Sequence, residues 1–285
     1  MKSDLHLHTT ASDGTKSPSA IVEWAAERGL ELIAVTDHDT VSGVEEAREK
    51  ADALGVRFVA GIEISAYSNS EIHILGYNVD YRNKDFLKQV EGIKDMRRAR
   101  NLLIGEKLAA LGITPDIDFG ADGVGRMNIA RQLLKEGYVG DIQEAFDRYL
   151  GPKGRAYAST RRTSPLEAVK LISSFGGIAV LAHPKKYLQD RTLDMLITGL
   201  KPFGLKGIET FYPKHTAEDV AALTKTAEKY KLTVTGGSDY HGEEDKRFVC
   251  ELPDSTLRAL GVLPKISDRP HKPNGNRSGR RPPQK

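Results

Sequence analysis

The chain has 285 residues, 39% hydrophobic and 28% charged, enough apolar content for one large α/β barrel or two ordinary domains. No run of about 18 apolar residues is present, which excludes a transmembrane helix. The opening "MKSDLHLHTT" lacks a signal-peptide core, and the one cysteine, Cys250, excludes an internal disulfide, so a cytoplasmic protein with no membrane association and no obligate protein partner is expected.

In chain order, strand-like apolar runs alternate with helix-like segments. "KSDLHLHT" reads as a strand in which His6 and His8, two apart, project to one face, with Asp13 in the loop beyond. Two imidazoles and a carboxylate converging on one point suit zinc, manganese or iron, although a strand rim with two satisfied histidines has the same local pattern. "SPSAIVEWAAERG" reads as a helix with Ser17 as N-cap, Pro18 in its first turn and Gly29 as terminator. "LELIAVTDHDT" is a buried strand ending in Asp37, His38 and Asp39, and "SGVEEAREKADALG" is a helix closed by Gly55. The third strand, "VRFVAGIEISAY", carries Glu63, and a short fourth, "SEIHILGYNV", carries His73.

The alternation breaks from about residue 83 to 159, which reads as helical, and resumes with "GGIAVLAHP", ending at His183. "LKGIETFYP" and "LTVTGGSDYHG" follow, the latter ending in Asp239 and His241. About seven strands alternating with helices imply a parallel α/β sheet or barrel. The expected organisation is a barrel in two parts, residues 1–82 and 160–263, around a helical insertion at 83–159, with a disordered basic tail at 264–285. That tail holds seven Lys/Arg against Asp268 alone and leaves the rest of the chain mildly acidic, although the whole carries +3. It reads as a solvated tail rather than an electrostatic arm for RNA.

The chemically able residues gather at one kind of place. Strand ends far apart in sequence deliver six histidines and several carboxylates, and in a parallel barrel the carboxyl ends share one mouth. Any one of them has an ordinary explanation, but their joint placement points to a polynuclear metal centre. The ordered motifs "DLHLHTTASDGT", "VTDHDT", "GIEIS", "HILGY", "LAHP" and "GSDYHG" resemble the signature of the PHP (polymerase and histidinol phosphatase) family over residues 3 to 262. "GRMNIARQLLKEGYVGDIQEAFDRYLGPKGRAY" further resembles its bacterial branch of nucleoside 3′,5′-bisphosphate phosphatases and 5′→3′ exoribonucleases.

The resemblance implies a distorted seven-stranded (β/α)7 barrel with two to three divalent metal ions (Mn, Fe or Zn). One ion would lie among His6, His8, Glu63 and Asp239, a second among Glu63, His73 and His183, and a third among Asp13, His38 and His241. The activity implied is attack of a metal-bridging hydroxide on phosphorus, in a nucleotide or at the 5′ end of short RNA. Asp37 and Asp39 are candidates for orienting His38 or moving a proton, with capping of the turn as the plain alternative. Arg126, Lys153 and Arg155 are candidates for holding a second phosphate, or else form a solvated basic face. "GRMNIAR" departs from the branch's usual "GRPHIAR", so Asn128 stands at a candidate substrate position where the branch has histidine. "MRRAR" reads as a helix face, with an RNA contact as the alternative, and no Walker-type loop or dinucleotide fingerprint is present. The rival readings are a phosphatase of a small metabolite such as histidinol phosphate, and a metal-stabilised scaffold without turnover.

Overall fold

A computed structural model describes residues 1–68, 70–242 and 248–263; the tail considered above lies outside them. The chain begins with β1 (Lys2–Leu7), α1 (Pro18–Glu27), β2 (Leu32–Val35), α2 (Val44–Leu54) and β3 (Arg57–Ser68), the three strands pairing in parallel. Ser17 accepts a hydrogen bond from the Ala20 amide at 3.2 Å, and Pro18 sits where a missing N–H costs nothing. Gly55 closes α2 at φ 69°, a left-handed conformation that a side chain disfavours.

The next strand corrects the expectation of an all-parallel sheet. β4 (Ser70–Tyr77) runs antiparallel to β3 and also to β5 (Ile178–Leu181). The link between β3 and β4 is a single residue, which allows a hairpin, whereas a parallel return needs a dozen or more residues. The reversal matters for the site. His73 lies near the start of β4, opposite Ser65 of β3, and so reaches the mouth where the other strands end.

Between β4 and β5 come α3 (Lys84–Ala110), α4 (Arg126–Lys135) and the short α5 (Ile142–Ala145), continued by a π-helical turn over Phe146–Leu150. Ile104, Leu108, Ile129, Leu133 and Leu150 pack there as an apolar cluster of their own. The chain then resumes with α6 (Pro165–Ser174), β5, α7 (Asp190–Leu200), β6 (Leu205–Phe211), α8 (Ala217–Tyr230), β7 (Thr233–Gly236), β8 (Cys250–Glu251) and α9 (Asp254–Ala259). Ser164 with Glu167 caps α6, and Thr216 with Asp219 caps α8.

The described sheet has eight strands in the order β7-β6-β5-β4-β3-β2-β1-β8, one more than expected. The extra one, β8, is two residues long and antiparallel to β1, too short to leave a periodic trace in the sequence. Past β7 the sheet nearly closes on itself. The Asp239 amide donates to the His6 carbonyl and the His8 amide to the Tyr240 carbonyl, each at 3.0 Å. Gly237 permits this approach, since a Cβ there would lie 2.2 Å from the His6 Cβ. No described helix is long and apolar enough to cross a membrane.

Candidate metal centre

The site is built around one carboxylate. Glu63, on β3, is fully buried, and five imidazoles approach it. His73 Nδ1 lies 2.9 Å and His6 Nε2 and His183 Nε2 each 3.2 Å from its Oε1; His38 Nδ1 lies 3.1 Å and His8 Nε2 3.3 Å from its Oε2. These side chains come from β1, β4 and the ends of β2 and β5, as the strand-end reasoning expected. Asp239 Oδ1, beyond β7, is 3.5 Å from His6 and 3.4 Å from His8. Asp13 Oδ1 is 3.2 Å from His241 Nε2, whose ring stacks on His8 with centroids 4.0 Å apart.

All nine sequence candidates for metal ligation therefore meet. Their donor atoms form three groups, each within 4.8 Å: His8, Asp13, His38 and His241; His6, Glu63, His183 and Asp239; and His38, Glu63 and His73. The groups overlap: His183 and His73 both face Glu63 Oε1, and His8 faces Asp13 with one nitrogen and Glu63 and Asp239 with the other.

The donor set fits divalent cations. His6 Nε2, both nitrogens of His8, Asp13 Oδ1, Glu63 Oε2, His73 Nε2 and His183 Nδ1 are buried without a hydrogen-bond partner. Orphaned polar atoms cost roughly 1–3 kcal/mol each, and seven on one spot need a common explanation. Electrostatics agree. Burial disfavours a charged His6, yet Glu63, Glu209 and Asp239 hold its pKa well above the ordinary imidazole value. Burial acts likewise on His8, but Asp239 and Glu63 outweigh it and raise its pKa to about 9. Burial pushes the Glu63 carboxyl up, and His73, His6 and His38 bring it well below the usual range. Burial lowers the pKa of His38 and His183, which favours the neutral imidazole that ligates a metal.

Other acids hold the donors in place. Asp37 does not touch His38. Its carboxylate accepts from the Thr9 amide and hydroxyl, both at 2.7 Å, and from the Ser12 hydroxyl at 2.6 Å, clamping the loop that carries Asp13. Asp39 accepts from the Ser65 amide at 2.8 Å and from Arg97 Nε at 2.9 Å. Both acids thus hold turns and neighbouring elements. Sequence reasoning missed Glu209. Fully buried on β6, it lies 3.0 Å from His6 Nδ1 and accepts from the His183 amide at 2.7 Å. The available signal was the single acid in the strand "LKGIETF".

A cavity of about 210 Å³ opens over the donors, and the insertion lines one side of it with Arg97, Arg100, Arg126, Met127, Arg131 and Phe146. Arg126 pairs with Glu71, and Arg131 donates to the Asp13 carbonyl at 2.6 Å, leaving its other terminal nitrogen buried and unpartnered. Arg100 is only 8% exposed, and its Nε has no partner. Burial, then the charges of Arg97 and Arg126, lower its pKa to about 9 against the opposing pull of Glu71, and no ion pair reaches it among the described residues. Of the four substrate-side candidates, Arg126 alone lines this cavity. Asn128 caps α4 instead, accepting from the Gly125 amide at 2.8 Å, while Lys153 and Arg155 lie exposed away from it. Arg97, Arg100 and Arg131 went unrecognised because a charged helix face reads alike whether it meets water or a cavity. The i, i+3 spacing of Arg97 and Arg100 was the clue.

A nearly closed α/β barrel with a histidine–carboxylate centre at its mouth defines a class of metal-dependent protein. The PHP domain model matches residues 4–149, and the chain belongs to the PHP domain family. It is 35% identical to a 5′-3′ exoribonuclease of Haemophilus influenzae, over 84% of this chain and 90% of that one. It is 34% identical to a 3′,5′-nucleoside bisphosphate phosphatase of Chromobacterium violaceum (88% and 92%) and 35% identical to a phosphoribosyl 1,2-cyclic phosphate 1,2-diphosphodiesterase of Eggerthella lenta (85% and 95%). Among solved structures, an amidohydrolase from Chromobacterium violaceum with bound sulfate and no metal superposes with a TM-score of 0.84 at 30% identity, over 92% of this chain and 96% of that one.

Proposed function

We propose that the protein is a phosphoesterase that hydrolyses the bond between phosphorus and the 3′ oxygen of a nucleotide carrying a 5′-phosphate. Nucleoside 3′,5′-bisphosphates and 5′-phosphorylated short RNA both satisfy that description, which unites the printed activities of two relatives. The observation that carries the reading is the pairing of two features in one cavity: the clustered imidazoles and carboxylates, and the uncompensated Arg100 beside Arg97, Arg126 and Arg131. A substrate with one phosphate needs only the first feature; one with two uses both. Two or three ions of Mn, Fe or Zn held by His6, His8, Asp13, His38, Glu63, His73, His183, Asp239 and His241 would supply Lewis acidity toward the phosphate oxygens and lower the pKa of water. The chain's own residues bind and orient. Arg100 and Arg131 have free donors for a second phosphate, and guanidinium offers two parallel hydrogen bonds to it. The Lys186 ammonium, 3.1 Å from Asp239, places another cation beside the reacting group.

The test is a substrate panel with manganese-loaded protein and a His8→Ala control: a nucleoside 3′,5′-bisphosphate, 5′-phosphorylated RNA, phosphoribosyl 1,2-cyclic phosphate and histidinol phosphate. Release of inorganic phosphate or of a 5′-mononucleotide by the wild type alone supports the reading. Turnover restricted to histidinol phosphate or to the cyclic phosphodiester refutes it in favour of a metabolite phosphoesterase.

A further inference from the structure

The insertion covers only part of the barrel mouth. Its arginines contact Asp13 after β1, Asp39 after β2 and Glu71 on β4. Away from the insertion, the cavity wall comes from the loop after β7, with Ser238, Asp239, Tyr240 and His241 beside the donors, and from the loops after β5 and β6, which present Lys186, Tyr187, Tyr212, Pro213 and Lys214. Tyr187 is 36% exposed, yet its ring lies 5.5 Å from that of His183 and 5.9 Å from that of His73, so it stands between the donor cluster and solvent. The Lys186 ammonium lies 5.2 Å from the Tyr187 ring centroid. Lys214 is exposed and pairs with no carboxylate among the described residues.

The proposed reaction dictates what must pass over this wall. Water forms a bond to phosphorus, the phosphorus–O3′ bond breaks, and the 3′ oxygen leaves with a proton on the first nucleotide. The phosphate stays on the 5′ oxygen of the next nucleotide. Downstream RNA is therefore tethered to the phosphate at the donor cluster, while the 5′-phosphate of the departing nucleotide occupies the arginine side. Of the loops left on that side, those after β5 and β6 are the ones that offer the tethered strand an exposed ring, Tyr187, and a cation unpaired among the described residues, Lys214.

We propose that these two loops form a track for single-stranded RNA downstream of the cleaved bond, with Tyr187 stacking on a base and Lys214 contacting a phosphate. The proposal rests on the phosphoesterase reading above. An aromatic face beside cations is how single-stranded nucleic acid is held without reading its sequence, and Lys186 over Tyr187 adds positive charge to the same surface.

The experiment compares wild type, Tyr187→Ala, Tyr187→Phe and Lys214→Ala on a nucleoside 3′,5′-bisphosphate and on 5′-phosphorylated RNA of five nucleotides. The expected result is a KM for the RNA raised roughly tenfold in each alanine variant, wild-type values in Tyr187→Phe, and bisphosphate turnover within about twofold throughout. Because the bisphosphate is assayed on the same preparations, it reports folding and an intact centre. Equal losses on both substrates, or no loss on RNA, overturn the track. Wild-type protein that turns over the bisphosphate but leaves RNA intact overturns it as well, while the phosphoesterase reading stands. Failure of the wild type on both substrates removes that reading and the track with it.

Discussion

Five imidazoles within 3.3 Å of Glu63 would be an untenable arrangement for neutral rings around a carboxylate that nothing else offsets. The nine candidate donors were legible because all but Asp13, which lies in the loop after β1, sit in or just past a recognisable strand. Glu209 was not, since a buried acid inside a strand has no motif, and its role appears only when the fold brings it to His6. By bonding His6 Nδ1 it fixes which nitrogen faces Glu63 and Asp239. The Glu209→Ala variant should therefore lose metal affinity roughly 10- to 100-fold, read as metal retained after dialysis against graded chelator. Unchanged retention would reduce Glu209 to a packing residue. A second expectation concerns pH. Acidic neighbours raise His8 from 6.5 to about 9, so its proton stabilises the metal-free fold fully below pH 6.5, and that contribution fades as pH rises through 9. A metal ion must displace the same proton. Manganese should consequently raise the melting temperature more at pH 9 than at pH 6.5, and thermal scans showing the reverse order would contradict the assigned competition.

At the level of elements, helix starts were readable from their caps, as Ser17, Ser164 and Thr216 illustrate, because capping is local chemistry. Strand direction was not. An apolar run looks the same read either way along a sheet, so β4 passed for a parallel strand until its one-residue link to β3 was weighed. Asp39 shows how elements couple. It joins the turn after β2 both to β3, through the Ser65 amide, and to α3, through Arg97, whose side chain is largely buried. Asp39→Asn keeps an acceptor for Ser65 but leaves the Arg97 charge without its partner. The expected cost is roughly 3 kcal/mol, visible as a lower urea midpoint. As Arg97 lines the cavity over the donors, the proposed substrate role predicts that KM should rise while kcat changes little. A fall in kcat at constant KM would instead mark Asp39 as a proton carrier.

For the whole molecule, the barrel and the insertion divide the labour: one brings the donors, the other brings the arginines, and the proposed substrate would set one phosphate against each. This division makes a quantitative demand on substrate choice. A nucleoside 3′-monophosphate meets the donor cluster but leaves Arg100 unpaired, whereas the 3′,5′-bisphosphate satisfies both. Hydrogen bonds to charged groups contribute about 1.5–3 kcal/mol, so the bisphosphate should be preferred by roughly 10- to 100-fold in kcat/KM. Arg100→Ala should erase most of that preference by slowing the bisphosphate alone, since the monophosphate never used the guanidinium. The four rates form a closed cycle in which removing the arginine and removing the 5′-phosphate are not additive. If Arg100→Ala depresses both substrates by the same factor, the guanidinium supports the fold rather than the second phosphate. The cavity would then measure one phosphate, and the reading that joins nucleotide and RNA substrates through a common 5′-phosphate would fail.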